Sequence, residues 1–139
     1  MVIENYWDAI EPFYDRLGKC DGLPNPSFPM YAFRLYAMHY CDVEICNGGF
    51  SQLFVNSTGE LAPAAEEGFR LIGREDIASL LRAAMAPFGQ EFPRDWEERN
   101  NIGIDLDLWD KVDELNVRYY GLPKPYDDMD AYARRMVLQ

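Results

Sequence analysis

Residues 30–46, Met-Tyr-Ala-Phe-Arg-Leu-Tyr-Ala-Met-His-Tyr-Cys-Asp-Val-Glu-Ile-Cys, decide the fold. Only Arg34, His39, Asp42 and Glu44 are ionisable in this run. A helix that is apolar on nearly every side is one that other elements cover, so the run predicts a buried central helix. Asn47-Gly48-Gly49 stops it, because glycine accepts the left-handed backbone of a helix C-cap. Phe50 to Val55 then read as a short helical segment beyond the turn.

On the N-terminal side, residues 22–29 (Gly-Leu-Pro-Asn-Pro-Ser-Phe-Pro) form a loop, since three prolines and a glycine continue neither helix nor strand. Before it, Ile3, Tyr6, Trp7, Ile10, Phe13, Tyr14 and Leu17 recur at the three-four spacing of a one-sided helix that stops at Gly18. Pro12 lacks a backbone donor and predicts a kink or break there.

On the C-terminal side, Ser57-Thr58-Gly59-Glu60 has capping-box spacing and predicts a helix start, with the serine oxygen taking a free N–H and the glutamate reaching back. Leu61, Ala64, Ala65, Gly68, Phe69 and Ile72 line one side of that helix, which closes at Gly73. Ile77, Leu80, Leu81, Ala84 and Met85 line the next, before Pro87. The two read as an αα-hairpin. Residues 87–103 read mostly as loop, followed by a helix from about Asp105 to Tyr120 that ends at Gly121 and a last helix from Tyr126 to about Val137. With no alternating strand pattern and no internal repeat, the expectation is an all-α fold: a single compact domain over residues 1–139, with about six or seven helices around a buried central one.

The chain has 139 residues, 48% of them hydrophobic, and 24 acidic against 13 basic side chains for a net charge of −11. The apolar fraction supports a folded core, so the acidity sits on a globular body rather than a disordered one. It divides evenly, −6 over residues 1–70 and −5 over 71–139, so it is no tail. Such a charge repels phosphate, and no basic stripe offsets it, which excludes direct nucleic-acid binding. No apolar run is long enough to span a membrane, and the acidic start with Glu4 and Asp8 has no basic n-region, so a cytoplasmic protein is expected. Cys20, Cys41 and Cys46 are an odd number and read as reduced, buried structural thiols. The sequon-like Asn56-Ser57-Thr58 reads as capping chemistry instead of a glycosylation site.

The stretch Glu-Ile-Cys-Asn-Gly-Gly-Phe-Ser-Gln-Leu-Phe-Val-Asn-Ser-Thr-Gly, residues 44–59, resembles the bacterial DNA-mimic-protein family, otherwise catalogued as a domain of unknown function with the hallmark E-x-x-N-G-G-F-x-Q-x-F-x-N-x-x-G. Glu44, Asn47, Gly48, Gly49, Phe50, Gln52, Phe54, Asn56 and Gly59 match it. The Trp7-to-Pro12 spacing, Ile72-Gly73 and an acid-rich late helix carrying Tyr119-Tyr120 extend the likeness. The resemblance implies an all-helical fold and binding of a helix-turn-helix repressor in place of operator DNA. Glycines, amides and phenylalanines are turn and core chemistry, so the hallmark reads as a folding motif, with Glu44, Gln52 and Asn56 satisfying backbone groups where two helices break. Mimicry would instead depend on surface carboxylates.

Two sets of carboxylates are candidates. Glu4, Asp8, Glu11 and Asp15 recur at spacings of four, three and four, which on one helix places them within an arc of roughly 60°. Four charges over about 16 Å are too dilute to imitate a DNA strand, which carries one per about 3.4 Å, so a second ridge is needed. Asp107, Asp110, Asp113 and Glu114 supply it, opposite the apolar Leu108, Trp109, Val112, Leu115 and Tyr119, with Asp127, Asp128 and Asp130 extending it if the last helix packs nearby. Solvated faces that keep the protein soluble are the plainer reading of the same pattern.

Catalysis finds little support. His39 is the only histidine, and Cys46 stands two helical turns away, roughly 10 Å along the axis, too far for a Cys–His dyad. Asp42, three residues on, is within reach of His39, and such a pair is most often structural. Gly48-Gly49 is followed by no lysine in Walker spacing, and Asp105-Leu-Asp107-Leu-Trp-Asp110 lacks the turn glycine of a calcium loop. An enzyme would instead show a concave pocket with a perturbed carboxylate. The expectation is therefore no catalytic residue, metal or cofactor. The chain is expected to act as a monomer or homodimer that blocks the DNA site of a basic DNA-binding protein, for example a helix-turn-helix regulator. The alternative is an acidic interaction or immunity-type protein that neutralises another basic partner, such as a nuclease toxin.

Overall fold

The computed structural model describes residues 2–138, and the described residues form helices and no strand. Seven helical units follow one another. The first, α1 (residues 7–17), is broken at Pro12: Trp7–Ile10 and Tyr14–Leu17 are α-helical and Glu11–Phe13 is a 3₁₀ turn. Then come α2 (Met30–Val55), α3 (Ala62–Leu71), α4 (Glu75–Met85), α5 (Trp96–Asp105), α6 (residues 108–120, with Leu108–Lys111 and Asp113–Tyr120 offset at Val112) and α7 (Tyr126–Val137).

The centre is α2, against which α1, α3, α5, α6 and α7 all pack. Its residues Leu35, Met38, Cys41, Ile45, Phe50, Leu53 and Phe54 are fully buried. The α3–α4 hairpin lies along it, with the Met38 thioether against Gly68. Truncating a fully buried phenylalanine such as Phe50 removes about 3–5 kcal/mol, a large part of the net stability of a small domain.

The break in α2 falls at the double glycine. Gly48 has φ −152° and ψ 16°, and Gly49 has φ 79° and ψ −175°, a backbone open almost only to glycine. The bend lets Phe50 and Phe54 turn into the core beside Tyr119 and Phe88. It also frees the Phe50 N–H, which donates to Asn116 Oδ1 on α6 at 2.8 Å.

A buried carboxylate joins three units. Asp42, 2% exposed, accepts from the hydroxyls of Tyr119 at 2.6 Å and Tyr126 at 2.7 Å, and the Cys46 thiol lies at 3.5 Å. Burial, and then the adjacent Asp42, push the Tyr119 and Tyr126 phenols well above the usual tyrosine value. The expected His39–Asp42 pair does not form, because Asp42 turns toward these tyrosines. The Tyr6 hydroxyl and His39 Nδ1 instead share a 2.7 Å hydrogen bond.

Several expectations about elements need correction. Ser57–Leu61 is a 3₁₀ turn that Asn56 precedes, with no side-chain cap, and the following helix starts at Ala62 with Pro63 in its first turn. The serine is already inside the turn, and Asn56 holds the N-cap place that it was expected to take. Residues 87–103 are not mostly loop, since Asp95 caps α5 by accepting from the Glu98 N–H at 3.2 Å. The helix expected from Asp105 to Tyr120 is interrupted instead: Asp107 adopts a left-handed backbone (φ 55°) between α5 and α6. Cys46 is exposed, unlike Cys20 and Cys41, and its sulfur accepts from Lys124 Nζ at 3.2 Å.

Candidate partner-binding surface

The basic side chains decide where negative charge is left over. Every ion pair among the described residues involves Arg34, Arg70, Arg74 or Arg82. Arg34 reaches Glu67 at 2.7 Å, Arg70 and Arg82 meet on Glu66 at 3.3 and 2.8 Å, and Arg82 also pairs with Glu75. Arg74 pairs with Asp76 at 3.0 Å and Asp128 at 3.3 Å. The acids of the α3–α4 hairpin are thereby neutralised locally.

The opposite holds for residues 91–114, which carry nine of the 24 acids against Arg94, Arg99 and Lys111. None of these three cations pairs with a carboxylate. Arg94 donates to the Asp21 backbone carbonyl, Lys111 Nζ donates to the Leu106 carbonyl at 2.9 Å, and Arg99 is wholly buried. Glu97, Glu98, Asp105, Asp107, Asp110, Asp113 and Glu114 are exposed and make no side-chain hydrogen bond or ion pair among the described residues. This stretch also exposes Trp96 (44%), Ile104 (61%) and Leu106 (46%), so apolar surface stands among the carboxylates.

The first ridge is less regular than its spacing suggests. Glu4 precedes α1, and the 3₁₀ turn at Glu11–Phe13 falls between Asp8 and Asp15, so the four do not share one continuous α-helix. Asp8 accepts from the N–H groups of Glu4 at 2.8 Å and Asn5 at 3.2 Å, which commits it to the start of the helix. Arg134 donates to the Glu4 carbonyl at 2.6 Å and brings a cation beside it. Glu11 and Asp15 remain exposed. Nor does α7 extend the second ridge: Asp128 is paired with Arg74 and Asp130 accepts from the Tyr6 N–H at 2.7 Å, leaving only Asp127 uncommitted.

Glu44, Gln52 and Asn56 do come together, but across the bend and on one another. Glu44 Oε2 accepts from Gln52 Nε2 at 3.2 Å and Asn56 Nδ2 at 2.8 Å. The freed backbone donor is satisfied by Asn116, so the expectation that the three cap backbone groups is wrong. Asn47 is exposed, and nothing in the structure explains its identity.

The residue that sequence reasoning missed is Arg99. Its guanidinium, 0% exposed, donates to the carbonyls of Phe54 (2.8 Å), Pro93 (2.9 Å), Arg94 (2.8 Å) and Asn56 (2.7 Å). The Gly59 backbone runs so close that an added Cβ would lie 2.8 Å from Arg99 Nη2 and 2.6 Å from the Leu53 carbonyl. Arg99 therefore fastens α5, the base of the acidic stretch, to the end of α2. A single arginine in a run reading Arg-Asp-Trp-Glu-Glu-Arg gives no signal that it is buried.

The fold and its bare carboxylate stretch define an acidic, all-helical protein whose charge is sorted into a neutralised hairpin and an uncompensated segment. A family model described as DMP19-like protein matches residues 27–136, and the chain belongs to that family. No curated protein and no solved structure matches it.

Proposed function

We propose that the chain is a DNA mimic that binds the DNA-contacting face of a basic DNA-binding protein, such as a helix-turn-helix regulator, and keeps DNA away from it. Membership of the DMP19-like family, a family of DNA mimics, supports this reading. The single observation that carries it is the unpaired carboxylate stretch over α5 and α6. A surface evolved only for solubility would intersperse both signs, as the α3–α4 hairpin does. Here Asp107, Asp110, Asp113 and Glu114 form no ion pair among the described residues, and their desolvation would be repaid by the arginines and lysines of a partner. Trp96 and its apolar neighbours would add contact area at the same face. Glu11 and Asp15 are secondary contributors, Glu4 and Asp8 weaker ones. The mechanism is occupation without catalysis.

Affinity capture from native lysate at low salt tests the proposal, with a salt gradient for elution and a parallel run containing competing DNA. Recovery of a DNA-binding regulator that salt elutes and DNA displaces is the expected result. Recovery of a basic protein that DNA does not displace, such as a nuclease toxin held through another face, would reject mimicry. Recovery of nothing basic would reject the partner surface altogether.

A further inference from the structure

Away from the α5–α6 surface, a half-open pocket of about 240 Å³ lies between α1, α2 and the 3₁₀ turn at Ser57–Leu61. It is smaller than the roughly 300–1,000 Å³ of drug-sized sites and suits a small ligand. Three tyrosine rings wall it. Tyr14 and Tyr36 have centroids 6.5 Å apart at 64°, Tyr36 and Tyr40 4.7 Å apart at 57°, and the Tyr40 hydroxyl reaches that of Tyr14 at 3.4 Å. The exposed lining is mostly polar, so these residues meet the space chiefly through their hydroxyls.

The remaining polar wall combines the neutral Ser57 and Thr58 with two acids. Asp21 and Glu60 line the pocket, and no lysine or arginine does. Glu60 makes no hydrogen bond or ion pair among the described residues, and Arg94 is anchored on the Asp21 backbone carbonyl. Burial pushes the Glu60 carboxyl above its usual range, while the nearby Arg94 and Arg99 charges, outside the pocket lining, pull it the other way. The rim is a constrained turn, with Asp21 at φ 52° and Gly22 at φ 75°. A left-handed aspartate is uncommon, and strain of this kind concentrates at binding sites. Phenol oxygens and a partly buried carboxylate accept charge-assisted hydrogen bonds from a cationic head group. No group of three or more metal-ligating side chains occurs among the described residues, which points to an organic rather than a metal cation.

We propose that this pocket binds a small organic cation of the alkylammonium or alkylguanidinium type, its charged head between Glu60 and the hydroxyls of Tyr14, Tyr36 and Tyr40. This site is separate from the acidic stretch and stands whether or not the chain is a DNA mimic.

The test is a titration of the full chain with n-butylammonium and n-butylguanidinium, followed by calorimetry and by the NMR ring signals of the three tyrosines. Neutral n-butanol and anionic butyrate are the controls. The two cations should move those signals and saturate around 1 mM or tighter, while the controls leave them unmoved. Glu60→Gln keeps the shape and removes the charge: it should melt no lower than the wild type and weaken the cations at least about tenfold, about 1.4 kcal/mol. Should that variant fold poorly, Tyr14→Leu, at a half-exposed ring, must weaken them instead. Equal binding of butanol, no response to either cation, or unchanged affinity in the folded variants would overturn the proposal.

Discussion

The guanidinium of Arg99 on α5 donates to the main-chain carbonyl of Asn56, at the end of α2, at 2.7 Å. One buried cation thus links the bent central helix to the base of the acidic stretch. No carboxylate touches it, and burial pulls its pKa below the usual arginine value. Arg99→Ala would leave the Phe54, Pro93, Arg94 and Asn56 carbonyls without their donor. A loss of about 3–5 kcal/mol in urea unfolding is expected. A loss under 1 kcal/mol would show that water replaces the guanidinium freely.

Gly49 and Asn116 form a second junction. A Cβ on Gly49 would lie 2.6 Å from Asn116 Nδ2, and the backbone at φ 79° resists any side chain. Gly49→Ala should lose about 3 kcal/mol from strain and clash together. Asn116→Ala removes the acceptor of the Phe50 N–H and should lose about 1–2 kcal/mol. Because Asn116→Ala also clears the clash, the double variant should lose less than the two single losses combined, leaving the backbone strain in place. Simple additivity in a denaturation cycle would contradict this packing.

Burial of titratable rings sets a pH window for stability. His39 is pulled below 6.5, first by burial, so its contribution is complete above the unfolded value and declines as pH falls through the folded one. Burial pushes Tyr6 up to about 12, and Tyr119 and Tyr126 also lie above their ordinary value. Their contribution is complete below the unfolded value of 10.0 and declines as pH rises toward the folded ones. Thermal melts should therefore show a stability plateau between about pH 7 and pH 10. Tyrosinate absorbance should rise together with unfolding; full ionisation in a folded chain would contradict the buried network.

Asp42→Asn tests the same network. The amide retains one acceptor oxygen for two tyrosine donors and introduces a donor where none is needed. An expected loss of about 2–3 kcal/mol should accompany an onset of the late tyrosinate absorbance at lower pH than in the wild type. An unshifted titration would separate Tyr119 from the Asp42 charge.

Helical class, the central run and its break at Gly48-Gly49, the hairpin and the last helix were legible in the sequence because each rests on local signals: periodicity, glycine and proline. What escaped rests either on a single local residue set against its surroundings or on contacts distant in sequence. The Asp95 cap and α5 lie in a stretch rich in turn residues, where one aspartate outweighs the composition. The left-handed Asp107 divides a run whose periodicity looks continuous. The difference between the two candidate ridges was not legible at all. Spacing treats Asp8 and Asp110 alike, whereas Asp8 is bonded to backbone N–H groups and Asp110 is bare. Which carboxylates are left unpaired depends on where the arginines fold, and Arg74 and Arg82 fold onto the hairpin.

The most direct measurement is a three-component competition. A regulator captured by the chain is held on fluorescent operator DNA and titrated with the wild type and with a variant carrying Asp110→Lys, Asp113→Lys, Glu114→Lys and Asp107→Asn, the last because asparagine tolerates the left-handed backbone. All four positions are exposed, so the variant should fold within about 1 kcal/mol of the wild type. The account predicts that the wild type releases the DNA stoichiometrically, more weakly as salt rises, and that the variant does not. A ternary complex of chain, regulator and DNA, or release by the folded variant at the wild-type concentration, would contradict it.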